Sequence, residues 1–597
     1  MFKVSLLQCL LKKYACIANR GPMYQSKSIN ADAIAPANLV VSRRAVCTGA
    51  VAAAACLGTA TAAFADDSAS DSTGATTDGL NKKQKKVHEQ FIATYNVEKQ
   101  AAIKEKLDKK YAKGTYDEES PLVEVDPFGT NTLSCYVRFA TSDAVKVSYK
   151  VKASKKNGFA AYEATPRGGN DYATEHEFLV VGLVPGITNT VLLTLTAEDG
   201  SERTATIKPE VSKLKGTEET QLKVTQGESN TALADGLYVI LGNDSSKLDF
   251  MYYYDNDGCI RGEVPLIGYR SHRLLFNDEG MWFSVSTTRM ACVSPLGQVL
   301  HVFKCGNYEL HHDYAFDDDG NLLVLASDLG AEADLDIDRA AGEDEKRQSV
   351  EDKVIKIDVA TGDVTEVIDM AAFFPKLKKK AKVASDGDLD WIHLNTIQWL
   401  GNDTVIVSSR ETSTVIKITD IYGTPTIDWM MGNTEFWAGT GFEDKLLAKQ
   451  GDFSDNGGQH SVTYVTDDSL GEGCYRLLVF DNNFGAAESY PKFDWSQLGA
   501  AVVTDYSKGT HSFARWFTVD EQARTYTLDD QITVTFSAYV SSVQQVGGAG
   551  SVLVDSGQAK TFVEYDQYGL PITTFKMASE KFIYRVYKYD FAGYYFA

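Results

Sequence analysis

The chain has 597 residues, with 81 acidic side chains against 59 basic, a formal net charge of −22, 44% hydrophobic content and 13 prolines. So much apolar material excludes a disordered, collagenous or coiled-coil chain. The acidic excess excludes wholesale nucleic-acid binding, which needs a basic footprint; an anionic small substrate would need a local positive pocket.

In chain order, residues 1–65 read as a twin-arginine signal segment. Ser42-Arg43-Arg44-Ala45-Val46 leads into the Ala-rich stretch 46–62, and Ala63-Phe64-Ala65 forms an A-x-A cleavage site. This predicts export in the folded state by the twin-arginine machinery, to the periplasm or to the cell surface and beyond. The competing reading is a retained membrane anchor, disfavoured because alanine is only weakly apolar. Four of the nine cysteines, Cys9, Cys16, Cys47 and Cys56, lie in or before this segment. The other five, Cys135, Cys259, Cys292, Cys305 and Cys474, are odd in number and lack a C-x-x-C pair. Neither a disulfide framework nor a zinc site is expected.

Residues 66–119 divide into a flexible spacer rich in Asp, Ser, Thr and Gly and one amphipathic helix over 85–113, spaced by Phe91, Ile92, Tyr95, Ile103, Leu107 and Tyr111. Residues 120–212 alternate as short strands at 132–139, 145–150, 177–184 and 190–196, the pattern of a small N-terminal β-sandwich with no evident catalytic residues. Residues 227–597 repeat strand, polar turn and strand, with turns such as Asn256-Asp257-Gly258, Asp319-Gly320-Asn321, Thr361-Gly362-Asp363 and Gly401-Asn402-Asp403. The fold class expected is all-β: a six-bladed propeller behind the sandwich. The acidic stretch 330–352 reads as a solvated insertion loop.

Histidines recur at the head of these repeats. His272, His311-His312, His393, His460 and His511 each precede a strand, turn, strand unit. In a propeller the first strand of every blade starts near the central channel, so equivalent positions converge on one concave site. A ring of imidazoles with a carboxylate such as Asp313 suits a metal, or else a nucleophile with general acids for group transfer. Arg410, at the end of Ser408-Ser409-Arg410, tips the balance: a guanidinium repels a cation and binds a sulfate or phosphate oxygen with forked hydrogen bonds. No metal and no cofactor is expected.

His311-His312-Asp313, Asp390-Trp391-Ile392-His393-Leu394-Asn395, Ser408-Ser409-Arg410-Glu411-Thr412-Ser413-Thr414, Gly458-Gln459-His460 and Leu478-Val479-Phe480-Asp481-Asn482-Asn483 together resemble the bacterial arylsulfate sulfotransferases. Val125-Asp126-Pro127-Phe128-Gly129 and Val181-Gly182-Leu183-Val184-Pro185-Gly186 fit as well, so the likeness runs from about residue 120 to 597. The resemblance implies sulfuryl transfer from a phenolic sulfate ester to an acceptor phenol, without a nucleotide donor. It implies that His460 is the nucleophile carrying a sulfohistidine, and that Arg410, His393 and His312 or His311 hold sulfate oxygens with help from Asn395. Adjacent strand residues face opposite ways, so one of the two is expected in the site, and His312 is preferred because it directly precedes Asp313. Ser541 or Ser542 is a further candidate for the lining. The implied partners are small aromatic sulfates and phenols, and a homodimer is allowed.

Members with a disulfide between the arginine and nucleophile motifs have two cysteines there, whereas residues 410–460 contain none. Phe436, Trp437, Phe442 and Phe453 must pack that loop or else wall a phenyl ring. The alternatives left open are an exported aryl sulfatase and a non-catalytic propeller that only binds ligands.

Overall fold

The computed structural model describes residues 80–242, 247–328, 350–384, 389–548 and 550–597. The signal segment, the spacer 66–79 and most of the 330–352 loop lie outside the described residues. Among the described residues no helix is long and apolar enough to cross a membrane, and Cys135, Cys259, Cys292, Cys305 and Cys474 are all unbridged.

In place of the single helix expected over 85–113 there are two, α1 (Lys82–Thr94) and α2 (Val97–Lys113). Asn81 forms a capping box with Gln84 at the first, and the Asn96 side chain accepts from the Lys99 N–H at the second. A side chain that caps a new helix competes with continuing the old one. Tyr95, at the break, turns inward and donates to the Pro265 carbonyl at 2.6 Å.

The sandwich is organised by one long strand, Ser134–Val151. Leu122–Val125 and Ala173–Val181 pair with its first half, while Tyr162–Ala164 and Val191–Ala197 pair with its second. Glu202–Ile207 completes the layer beside Val191–Ala197. The two strands expected at 132–139 and 145–150 are thus one, with its register broken between Ala140 and Val145. A bulge lets a strand bend from one layer into the other without a turn.

Among the described residues six further sheets follow, each built on an antiparallel run of four strands. The second holds Leu275–Phe276, Met281–Ser286, Arg289–Val293 and Val299–Lys304; the third holds Tyr308–Phe316, Leu322–Asp328, Asp352–Ile357 and Val364–Asp369. The fourth holds Leu394–Gly401, Thr404–Ser409, Thr414–Thr419 and Thr426–Met431. The fifth holds His460–Val465, Cys474–Asp481, His511–Asp520 and Thr525–Thr535, with Ala448–Gln450 added on its edge. In the sixth, Ser542–Val546, Ser551–Ser556, Thr561–Tyr565 and Pro571–Lys576 are joined by Lys223–Gln226, a strand that lies ahead of the boundary expected at 227. The first sheet combines Leu237–Ile240, Phe250–Tyr254 and Ile260–Pro265 with Val586–Tyr589 from the far end of the chain.

Hydrogen bonds link these sheets in a closed circuit. Leu274 N–H donates to Tyr589 Oη (3.0 Å), Ser284 N–H to Tyr314 Oη (3.1 Å) and Ile397 N–H to Asp313 Oδ2 (3.2 Å). Val462 N–H donates to Thr396 Oγ1 (3.3 Å), Val543 N–H to Ser461 Oγ (3.3 Å) and Val586 N–H to Ser542 Oγ (3.2 Å). The last bond returns to the first sheet. A circuit of sheets whose leading strands touch is a β-propeller, which leaves only short edges unpaired. Between sheets the core is apolar: Leu323, Leu325, Trp391, Ile392, Ile397 and Val405 pack the third against the fourth with almost no exposure.

Candidate active site

In an antiparallel run the first strand begins, and the second ends, at the same edge of the sheet. His393 and His460 stand at the start of first strands, and Arg410 and Asn482 directly follow the ends of second strands. This topology gathers them on one face of the ring. The backbone there is strained: φ is +56° at His312, +48° at His393, +53° at Ser461 and +56° at Asn483. Left-handed non-glycine residues cost on the order of 1–3 kcal/mol each and persist where the surrounding structure over-determines them. Gly458 has φ +60°, and a Cβ there would lie 2.9 Å from the Phe484 carbonyl oxygen, so glycine is required for the approach to His460.

His460 is fully buried and its tautomer is set by its neighbours. Its Nδ1 lies 2.7 Å from Asn482 Oδ1 and 3.1 Å from the Gly458 carbonyl. The Asn482 amide cannot be reversed, because its Nδ2 donates to the Ser537 and Val540 carbonyls at 2.8 and 3.1 Å. Two acceptors facing Nδ1 put the hydrogen on that nitrogen, and the lone pair of the neutral ring on Nε2. Asn482→Ala is expected to slow turnover about 10²-fold by releasing the tautomer. Asn482→Asp keeps the acceptor and should recover most of that loss, as steady-state rates on one aryl sulfate will show.

The other histidines form a chain. His393 Nδ1 contacts Asp390 Oδ2, and its Nε2 lies 3.2 Å from His312 Nε2. His312 Nδ1 lies 3.0 Å from His311 Nδ1, and His311 Nε2 lies 3.0 Å from Asp352 Oδ1, at ion-pair distance although off the ideal hydrogen-bond line. The expectation that His311 and His312 face opposite ways is overturned. The pairing register breaks between Leu310 and Tyr314, and the left-handed turn at His312 swings both rings into one cluster. Burial, the rings of His393 and His311, and Arg270 push His312 well below the usual imidazole range. Burial pushes the Asp390 carboxyl up, while His393 pulls it back.

Arg410 donates its backbone N–H to the His393 carbonyl at 3.0 Å, and its Nη1 donates to Glu411 Oε1 at 3.0 Å. Burial holds the Glu411 carboxyl up at about 7 against the pull of Arg410. Asn395 Nδ2 donates to the Gln459 carbonyl at 2.7 Å, and Gln459 Nε2 donates to Ser408 Oγ at 3.0 Å. The His393, Arg410 and His460 segments are therefore tied together, with Asn395 as the brace. Asp313, considered as a metal ligand, is instead held by Arg273 at 2.8 and 2.9 Å and approached by Arg585 at 3.5 Å. Among the described residues no three His, Cys, Asp or Glu side chains converge as metal ligands would.

His272 joins the cluster. It is fully buried, with Nδ1 3.2 Å from Ser284 Oγ and its ring edge-on to Tyr584. His511 does not. It begins the third strand of the fifth sheet and contacts Thr510, because the hairpin it heads is the outer half of that sheet. Ser541 and Ser542 are buried in structural bonds, to Ser537 Oγ and to the Val586 carbonyl. Trp437 and Phe453 pack as loop core. Phe436 instead walls a cavity of about 370 Å³ with Lys380, Lys382, Tyr490 and Phe493, and Phe442 walls a neighbouring one of about 200 Å³. Tyr490 Oη donates to the Trp391 carbonyl at 2.6 Å, which joins the larger cavity to the His393 segment.

The arylsulfotransferase (ASST) family profile matches residues 223–588, and the profile of the arylsulfotransferase Ig-like domain matches 122–212. The chain belongs to the arylsulfotransferase family. It is therefore a sulfotransferase enzyme that moves sulfuryl groups between aryl compounds. A search of curated proteins gave no significant match. Among solved structures, a candidate 6-phosphogluconolactonase from Bacteroides fragilis NCTC 9343 is 12% identical, with a TM-score of 0.31, covering 76% of this chain and 99% of that one. An auxiliary nutrient binding protein from Bacteroides thetaiotaomicron VPI-5482 is 8% identical (TM-score 0.28, 78% and 99% covered). The Nup133 β-propeller domain of Vanderwaltozyma polyspora is 11% identical (TM-score 0.28, 62% and 90% covered). At these scores the likenesses carry no argument.

Several groups of this buried cluster escaped the sequence reading. Asp352 was expected to end a solvated loop; it begins a strand, is buried and meets His311. Tyr584 Oη donates to the His312 carbonyl at 3.0 Å, and the buried Arg585 donates to the Asn395 carbonyl at 2.6 Å. Neither carries a local sequence signal. Asp390 and Asn482 lay inside the quoted motifs, and only their contacts reveal what they do.

Proposed function

We propose that this arylsulfotransferase transfers a sulfuryl group from a phenolic sulfate ester to an acceptor phenol by ping-pong through a sulfohistidine at His460, with no nucleotide sulfate donor. The observation that carries this reading is the fixed tautomer of His460. An Nδ1–H held by Asn482 and Gly458 leaves Nε2 as the nucleophilic nitrogen.

Sulfuryl transfer resembles phosphoryl transfer: a loose transition state spreads negative charge over the equatorial oxygens, so positioning and cationic donors supply most of the acceleration. Arg410 keeps its charge and offers a planar fork to those oxygens, with His393 and His312 beside it. The aromatic and lysine-lined cavity at Phe436 suits the ring of an anionic aryl sulfate. In the same reading the six sheets are the six blades of one propeller. The signal segment would send the folded enzyme through the twin-arginine machinery to the periplasm or cell surface, where two copies would pair as a homodimer.

The test is the intact mass of the enzyme after brief incubation with 4-nitrophenyl sulfate and rapid quenching. A gain of one SO₃ unit mapped to His460 is expected. An unmodified chain under turnover conditions, or an adduct elsewhere, overturns the reading.

A further inference from the structure

Four contacts link Asp390, His393, His312, His311 and Asp352 in a row: Asp390 Oδ2 to His393 Nδ1, His393 Nε2 to His312 Nε2, His312 Nδ1 to His311 Nδ1, and His311 Nε2 to Asp352 Oδ1. The first three are hydrogen bonds and the fourth is an ion-pair contact at 3.0 Å that lies off the hydrogen-bond line; each brings two lone-pair-bearing atoms together, so each needs a proton on one partner to be attractive. Three neutral imidazoles bring only three. A row with every contact satisfied therefore holds a fourth, shared with its terminal carboxylates.

We propose that this buried row is a proton reservoir, which gives its extra proton to the departing phenolate and is refilled by the acceptor phenol. Asp390 and Asp352 are its positioning residues. The proposal rests on the covalent mechanism above and specifies how that site handles protons.

The balance closes over two half-reactions. In the first, the Nε2 lone pair of His460 forms the N–S bond and the ester S–O bond breaks. Its electron pair leaves on the phenolate oxygen, which takes a proton from the His312–His393 contact. In the second, the acceptor phenol returns a proton to that contact, its oxygen forms the new S–O bond, and the N–S pair goes back to Nε2. The row is thereby restored.

The surroundings suit this storage. All five side chains are buried, so bulk water does not short-circuit the row. Arg410 stands beside Asp390 and His393 together with the raised Glu411 carboxyl, and Arg270 stands beside His312 together with His272, which burial pushes well below the usual imidazole range. The two guanidinium groups offset the two carboxylates without supplying a transferable proton, and the raised Asp390 carboxyl is a seat for the fourth one.

The test compares donors whose leaving groups differ in their need for a proton. 4-Nitrophenolate leaves readily unprotonated, whereas phenolate and 4-methylphenolate need general-acid help. Asp390→Asn can still accept from His393 but gives the fourth proton no seat. Its loss of kcat is expected to be at least about 10²-fold larger on phenyl sulfate than on 4-nitrophenyl sulfate. Asp352→Asn, at the other end, should steepen the same leaving-group dependence and serves where Asp390→Asn fails to fold. Equal losses on all donors in a folded variant overturn the reservoir. The SO₃ adduct on His460 separates the two levels: if wild-type enzyme forms no adduct the covalent mechanism falls, and if the adduct forms but the donor dependence stays flat only the reservoir falls.

Discussion

Replacing His460 by alanine should abolish the SO₃ adduct and lower kcat by at least about 10⁴-fold, the scale seen when a covalent nucleophile is removed. No neighbour can substitute. His393, His312 and His311 are committed to one another and to Asp390 and Asp352, whereas His460 is held through Asn482 and the Gly458 carbonyl. The variant should still fold, because the Asn482 amide keeps its bonds to Ser537 and Val540 and the Val462 N–H keeps its bond to Thr396. Adduct mass, turnover and a denaturant melt on the same preparation check all three. A folded His460→Ala enzyme that turns over at more than a few per cent of the native rate excludes the covalent route.

Arg410→Gln should cost about 10²–10³-fold in kcat, the usual price of one preorganised donor to a developing oxyanion. The structure indicates why folding should survive. Glu411, the carboxylate left behind, already sits at about 7, so it takes up a proton when its guanidinium partner is gone and no bare charge is buried. Arg410→Lys should recover little, since an ammonium keeps the charge but not the planar fork. Rates on 4-nitrophenyl sulfate for the three forms decide between charge alone and forked geometry. A lysine variant at native rate would show that charge suffices.

The strand and turn pattern of 227–597 is plain in the sequence because each hairpin is local, and the histidine heads follow from it. What could not be read are the places where the chain departs from regular periods. A strand alternates faces, so His311 and His312 were expected to diverge; a left-handed residue inside a broken register brings them together. His511 heads a hairpin as the others do, and no local rule distinguishes an outer hairpin from an inner one. Asp352 continues an acidic stretch that reads as loop, although its contact with His311 lies across the fold. The pairing of Val586–Tyr589 with Leu237–Ile240 spans most of the domain and leaves no trace in either segment alone.

That last pairing bears on assembly. The residues just ahead of the closing strand also brace the histidine segments, since Tyr584 binds the His312 carbonyl and Arg585 the Asn395 carbonyl. A chain that holds every histidine but has not yet paired Val586–Tyr589 with Leu237–Ile240 lacks the clasp that sets them in place. The cluster is therefore completed by the long-range closure of the ring and not by the folding of any one hairpin.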